Sequence, residues 1–443
     1  MSRADASPAW TLDPPPGEWP ALLRRTPLDD AARALRAELG LPTDRPVVMT
    51  GHQPEFWHPG ILAKYIAADA LAGAADAHAA HLVVDSDETD PGAVRIPVTG
   101  DTLAVRTLRL LPQPGAGVPA CAAPGARPVA ADPADTIEPV RNGLRSIIRT
   151  LEAHASASSL GEQLGRSISE LLQPWAPLPA PLYSSRLAAT SAFRAIVDRM
   201  ASDPRACIEA HNAAVEQIPE ARIAPLVSSA DRLELPLWRI RPGQARARVF
   251  AKDLPGIPAG ELAPRALLLT GFLRLFACDL FIHGAGGAVY DRITDRWLES
   301  WLGRAPAPAV RATATLRLPL STRGVPAVAD IDRAAWTAHH ARHDPSLVGD
   351  TAGAAQKARL LAAVRSARVA GADALPPFRA LQDFLADHRA RHADALAQLH
   401  AQADALRARR DEAAIAADRT WAFPLYPAEL LDALASDIRG AFA

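Results

Sequence analysis

The sequence predicts an α/β fold with a parallel-sheet core followed by an antiparallel helical coiled-coil arm. Three observations carry that reading. An apolar run at "PVVMT" (46–50) is followed by helical spacing and then by a second apolar run in "AAHLVVDSDETD", which makes strand, helix and strand in about 45 residues, the usual length of a βαβ unit. A second strand-to-helix connection of the same kind recurs in "DLFIHGAGGAVYDRITDRWLESWLG". Beyond Asp330 the pattern turns to long helical stretches.

In chain order, a Pro-rich N-terminal arm precedes "LDDAARALRAEL", whose acidic start suits the positive end of a helix dipole. The strand of "PVVMT" then leads through a Gly/His loop into a helix from about Gly60 to Ala74. Residues Thr99 to Pro139 are short-patterned and Pro-rich, and are expected to form an irregular surface excursion. Helical patterns follow over Asp135 to Leu172 and over Ser184 to Gln217. "LPLWRIRPGQARARVFA" reads as an antiparallel hairpin around a Pro-Gly turn.

The last quarter predicts two long helices, Asp330 to Ala370 and Pro377 to Ala417, separated by "AGADALPP". In the second, Phe378, Leu381, Leu385, His388, His392, Leu396, Leu399, Ala403 and Leu406 recur at steps of three and four, the seam of a coiled coil. A short turn between two long helices makes them antiparallel. "RTWAFPLYPAELLDAL" then brings the chain back to the core, so the expected division is a core over 1–325, an arm over 326–418 and a return over 419–443.

Composition excludes several classes of function. The chain has 443 residues with a formal net charge of -1, which removes any global pull towards nucleic acid or an anionic membrane. Cys121, Cys207 and Cys278 are far apart and odd in number, which fits a reducing cytosol better than a disulfide framework. No signal peptide is visible, and the apolar stretch around Leu267 to Gly287 is interrupted by Arg274 and Asp279, so it reads as core and not as a membrane span.

Ligands of parallel sheets collect at the C-terminal ends of the strands, where both polar clusters of the first βαβ unit should lie. In "TGHQPEFWHPGILAKY", Gly51 permits a tight turn and Gly60 lets a ligand approach the backbone at a helix start, where free N–H groups favour phosphate or carboxylate. Lys64 adds a charge, and Gln53 lies in the same loop. The competing reading is that Phe56, Trp57 and Pro59 pack the loop over the sheet while His52 and His58 cap backbone groups. In "VVDSDETD", Asp85 and Asp87 lie nearest the strand end and could orient an amine, act as a general base or bind Mg²⁺; Glu88 and Asp90 read as solvated.

"HGAGGAVYDRITD" places His283, Gly284, Gly286 and Gly287 in a strand-to-helix turn with Tyr290 beside it. Val289 occupies the position of the third glycine of a dinucleotide fingerprint, so a nicotinamide cofactor is not indicated. The turn suits a substrate anion or, equally, close packing of helix on strand. His388 and His392 are one turn apart without a third ligand visible in the sequence, so a polar seam is preferred to a metal site and no metal site is assigned.

His58-Pro59-Gly60 is similar to the first three positions of the H-x-G-H signature of nucleotidyltransferases and class I synthetases, with Ile61 in place of the last histidine. "TGHQPEFWHPGILAKYIAADALA" also resembles the T-G-Q-Q segment that opens the core of the bacillithiol biosynthesis cysteine-adding enzymes, and "LFIHGAGGAVYDRITDRWLESWLG" resembles their glycine-rich segment. The order of parts is similar as well, over about half of the chain. Gln has become His52, the Gly-Gly before the helix is represented by His58, and Pro-Gly-Glu has become Ala285-Gly286-Gly287.

The resemblance implies a Rossmann-like core of class I synthetase or nucleotidyltransferase type, and a cytoplasmic ligase or transferase related to low-molecular-weight thiol biosynthesis. It would join an amine to a carboxylate, or transfer a nucleotidyl or acyl group. His52 and His58 would stabilise developing negative charge. The Gly51 and Gly284–Gly287 turns with Lys64 would hold phosphate or carboxylate, and ATP or ADP with Mg²⁺ are admitted as cofactors. The expected partner is a small molecule, with homodimerisation through the arm. The alternative is a non-catalytic scaffold that keeps the fold and dimerises through its helices.

Overall fold

The computed structural model describes residues 9–23, 27–100, 102–320 and 325–443. It divides into two units. One comprises Met1–Val98, Val105–Leu318 and Arg419–Ala443; the other comprises Thr99–Ala104 and Pro319–Asp418.

The first unit begins with β1 (Ala9–Asp13), α1 (Trp19–Leu22) and α2 (Asp30–Glu38), the last capped by Asp29, whose side chain accepts from the Ala32 N–H. β2 (Val47–His52) leads into α3 (Pro59–Ala74) and β3 (His78–Val83), which is the βαβ unit expected from the sequence. β4 (Ala93–Thr99) and β5 (Leu103–Arg109) pair in a two-stranded sheet, then α4 (Glu138–Ala153), α5 (Leu160–Leu172) and the two-residue β6 (Leu182–Tyr183) follow. After α6 (Ser191–Ser202) and α7 (Pro204–Glu216) come β7 (Glu234–Arg239), β8 (Ala247–Phe250) and β9 (Leu262–Pro264), a three-stranded antiparallel sheet. α8 (Ala266–Phe276), β10 (Leu280–His283), α9 (Ala288–Leu302) and β11 (Ala309–Thr315) complete the central sheet.

That sheet has the order β1-β11-β10-β2-β3-β6. Every neighbouring pair is parallel except β1 on β11, which is an antiparallel edge. The fold is therefore a mixed α/β structure with a mostly parallel sheet. From β2 the chain moves through α3 to β3 on one side, while β10 flanks β2 on the other and continues outward to β11. The connections reverse direction between β2 and β10, and a crevice opens at the C-terminal ends of strands at such a point.

Period-two alternation divides the strand residues between two faces. Val47 and Met49 of β2, Ala80 and Leu82 of β3 and Phe281 of β10 share one buried cluster with Leu35, Phe272 and Trp297 of the helices. Val48, Val83 and Ile282 are also buried, on the opposite face where α3 runs, and α15 (Ala428–Gly440) packs on α3. A buried ion pair fastens the two strand starts: Arg36 Nη2 and the Val47 N–H both donate to Asp279 Oδ2 at 2.7 Å.

Several expectations are corrected. Residues 1–8 of the Pro-rich arm lie outside the described residues, and within the arm Ala9–Asp13 forms an edge strand. The excursion from Thr99 is not irregular at its start, because Leu103–Arg109 pairs with β4. Each long helical pattern before the hairpin is two helices. Ser159 caps α5 after a break at 154–159, and Asp203 caps α7 with Pro204 at its first turn.

The second unit has α10 (Val328–Ala341), α11 (Thr351–Val369), α12 (Leu375–Arg391), α13 (Ala393–Ala408) and α14 (Arg410–Ala417) where two long helices were expected. Pro345 and the left-handed Gly349 separate α10 from α11, and His392 leaves helical geometry between α12 and α13. α11 packs on α12 and α10 on α13. Of the expected seam, Leu381, Leu385, His388, Leu396 and Ala403 are buried, whereas Phe378 is 41% exposed. Among the described residues, no helix is long and apolar enough to cross a membrane.

Candidate active site

The exits of β2 and β10 open into a cleft of about 640 Å³. Register explains why. Ile282 lies opposite Thr50 and Val83 opposite His52, so His52, His283 and the chain following Val83 emerge at one edge. His52, Gln53, His58, Lys64, Asp87, His283, Gly284, Gly286, Gly287 and Tyr290 all line the cleft, as do Gly51 and Gly60.

The two loop histidines present opposite faces of the same chemistry. His52 Nδ1 lies 3.4 Å from the Gln53 carbonyl, which can only accept, so the proton sits on Nδ1 and Nε2 carries the lone pair. Burial, reinforced by the Lys64 charge, pushes its pKa down to about 3, so the ring is neutral at physiological pH. His58 caps α3: its Nδ1 accepts from the Gly60 N–H at 3.0 Å, which places the ring proton on Nε2. The expected shared role for the pair is therefore revised. His58 is arranged as a hydrogen-bond donor, while His52 is arranged as an acceptor.

Lys64 is buried, with Nζ donating to the Gly51 carbonyl at 2.7 Å. Burial lowers its pKa to about 7. It stands out in composition as well, since Lys64, Lys252 and Lys357 are the chain's three lysines within a combined 48 Lys and Arg. Arginine keeps its charge wherever it is buried; lysine in the same place becomes a group that can gain and lose a proton near neutrality.

His283 Nε2 lies 2.9 Å from Asp291 Oδ2, and Asp291 Oδ1 accepts from the buried Arg274 Nη1 at 3.1 Å. His283 Nε2 is buried without a hydrogen-bond partner, so its approach to Asp291 is a charge contact and not a donated hydrogen bond. A Cβ on Gly287 would lie 2.5 Å from the His283 ring, so this glycine serves close packing of turn against strand. Gly286 has nothing within 4 Å of that position, and α9 starts without a side-chain cap. The positive end of its dipole thus adjoins the cleft.

Gly60 departs from its expected role. Its Cβ position would lie 2.7 Å from the Ala314 carbonyl and from the His58 ring, so the glycine allows the helix start to meet β11 and the cap, and does not make room for a ligand. Trp57 packs as the competing reading expected, buried and stacked on Tyr65 with ring centroids 4.6 Å apart. The loop is thus a packed structure that carries a site.

The acidic cluster splits. Asp87 reaches the main cleft, where it accepts from Gln53 Nε2 at 3.0 Å and pairs with Arg246. Asp85 does not. It is 2% exposed and lines a separate cleft of about 270 Å³. There it accepts from Ser184 Oγ, the Ser185 N–H and Ser185 Oγ at 2.9, 2.9 and 2.6 Å. Burial raises its pKa against those hydrogen bonds. Asp85 is a strap between the β3 exit and the segment after β6, so its assignment beside the histidines is corrected. The chain has left β3 and turns at Asp85–Ser86, so the two acids depart in different directions.

Residues overlooked in the sequence complete the rim. Arg246 and Arg265 lie over the Trp238 ring at 4.4 and 4.8 Å, and Arg419 donates to Thr315 Oγ1 at 2.9 Å; all three arginines line the cleft. The signal was the Trp and Arg spacing of the hairpin, hidden by the high arginine content of the whole chain. Asp87 is paired with Arg246, Asp291 with Arg274, and Arg265 with the buried Glu234, so the cationic character of the cleft comes from Lys64 and Arg419.

No protein-family model matches the chain, and no curated protein matches it.

Proposed function

We propose that the chain is an enzyme that binds a small molecule bearing phosphate or carboxylate and joins it to an amine or transfers an acyl or nucleotidyl group from it. The observation that carries this reading is the meeting of His52, Lys64 and His283 in one cleft at the reversal point of a parallel sheet, with Asp291 in charge contact with His283 and arginines on the rim. The α9 N-terminus would hold an anion beside the capping ring of His58, and Lys64 in its charged form would neutralise charge that develops during transfer. His52 Nε2 would receive the proton of the attacking amine; a bound anion beside it would raise its affinity for that proton. A Rossmann-like core and the resemblance to cysteine-adding enzymes point to the same reaction class, with ATP or ADP among the candidate ligands.

Thermal-shift measurements with ATP, ADP, pyrophosphate, citrate and amino acids test the reading. A ligand at 100 times its dissociation constant stabilises by about 2.7 kcal/mol, a readily measured shift. At least one anion should shift wild type and fail to shift Lys64→Met. Absence of a shift with every anion would favour a non-catalytic scaffold.

A further inference from the structure

The second unit holds a constellation unrelated to the cleft. We propose that Asp350, His388 and His392 form a binding site for a first-row divalent transition-metal ion of the Zn²⁺ type. Their ligand atoms lie within 4.8 Å of one another, the only such group of three among the described residues. Donor atoms around a tetrahedral Zn²⁺ stand about 3.3 Å apart, given bonds of about 2.0 to 2.1 Å. His392 Nε2 and Asp350 Oδ2 are already 3.2 Å apart.

His388 supplies the strongest argument. It is fully buried, and its Nε2 lies 2.9 Å from the Ala341 carbonyl. A carbonyl accepts only, so Nε2 carries the proton and Nδ1 carries the lone pair. That Nδ1 is buried without a hydrogen-bond partner. An orphaned acceptor of this kind is costly, and a backbone carbonyl fixing the opposite ring nitrogen is the usual support of a metal-bound histidine.

Asp350 is equally prepared. Its Oδ1 caps α11 by accepting from the Gly353 N–H at 2.7 Å, which leaves Oδ2 towards His392. A Cβ at position 353 would lie 2.2 Å from Oδ2, so glycine there makes room for the carboxylate. The one competing cation, Arg391, stands 3.8 Å from Oδ2 with a side chain 55% exposed, free to swing into water.

Two imidazoles and one carboxylate suit Zn²⁺, Co²⁺ or Fe²⁺ and are a poor set for Mg²⁺ or Ca²⁺. Three protein ligands leave a coordination position for water. In the fold, the ion would link the start of α11 to the end of α12, the end of that helix pair opposite the 370–374 turn.

Full-length protein freed of metal with a chelator should be titrated with Co²⁺, read by its visible ligand-field bands, and then with Zn²⁺ in competition. One equivalent of Co²⁺ should bind and be displaced by Zn²⁺, with no competition from Mg²⁺. His392→Gln and Asp350→Asn should each lose at least tenfold in affinity, and His340→Gln, outside the triad, should bind as wild type. His388→Ala risks unfolding; the partly exposed His392 keeps the test decisive, with circular dichroism reporting the fold. The proposal is overturned if wild type takes up neither ion, or if folded His392→Gln binds as tightly as wild type.

Discussion

Lys64 Nζ donates to the Gly51 carbonyl across 2.7 Å, tying the second turn of α3 to the exit of β2 through a buried ammonium. The contact holds a basic group whose pKa burial lowers to about 7 in line with the strand edge.

Titration of Lys64 should be visible directly. After reductive methylation with ¹³C-formaldehyde, the NMR signal that disappears in Lys64→Arg should titrate at about 7. The lowered pKa also sets a sign for stability. Between about 7 and the ordinary 10.5 the unfolded chain binds more protons than the folded one, so this group makes stability rise with pH across that window. Lys64→Met should abolish the rise, as read by urea unfolding at pH 7 and pH 10; an unchanged pH dependence would contradict the buried ammonium.

Asp85 and Asp87 should separate by phenotype. Asp85→Ala removes an acceptor of three hydrogen bonds and strands Ser184 and Ser185, for an expected loss of about 2–4 kcal/mol. Asp87→Ala frees the partly exposed Arg246 and should cost under about 1 kcal/mol. Affinity for a cleft ligand should change in the second and persist in the first. If Asp85→Ala instead keeps wild-type stability and loses the ligand, the strap reading fails.

Acid should unfold the core through its imidazoles. Burial lowers His52 to about 3 and His81 to about 4, from 6.5 in the unfolded chain. Unfolded chain therefore binds the extra protons, and stability falls as pH drops below 6.5 towards those values. Each group contributes up to about 1.4 kcal/mol per pH unit in its window. His81→Leu, at a buried ring with no hydrogen-bond partner on either nitrogen, should flatten the profile between pH 6 and 4 in a series of denaturant melts. An unaltered slope would mean that His81 is hydrated in the folded state.

The local periodicities made β2, α3, β3, β10 and α9 legible, because each follows from contiguous apolar spacing bounded by turn residues. β1, β11 and the two-residue β6 were not. β11, "AVRATAT", alternates buried alanine and valine with arginine and threonine, too little apolar mass to register as a strand until its neighbours supply the burial. In the site, sequence placed His52, Asp87 and His283 after strand ends and His58 and Lys64 at the start of the following helix, where the structure has them, since position along a βα connection is a local property. It could not separate Asp85 from Asp87, because two residues in step would share a face of an extended chain, and the turn at Asp85–Ser86 that parts them is set by what the chain meets next. Arg246 comes from the distant hairpin and Arg265 from the residue after β9, and Asp350 lies some forty residues before its histidines; such meetings are fixed by tertiary folding alone.

The helix that shields α3, the wall from which Lys64 reaches the strand edge, is α15, the last along the sequence. During translation, that wall waits with one flank bare until more than three hundred further residues have been added. Maturation of the cleft is thereby coupled to synthesis of α15, and a chain stalled before that helix would expose apolar helix surface to chaperones and proteases instead of a finished pocket.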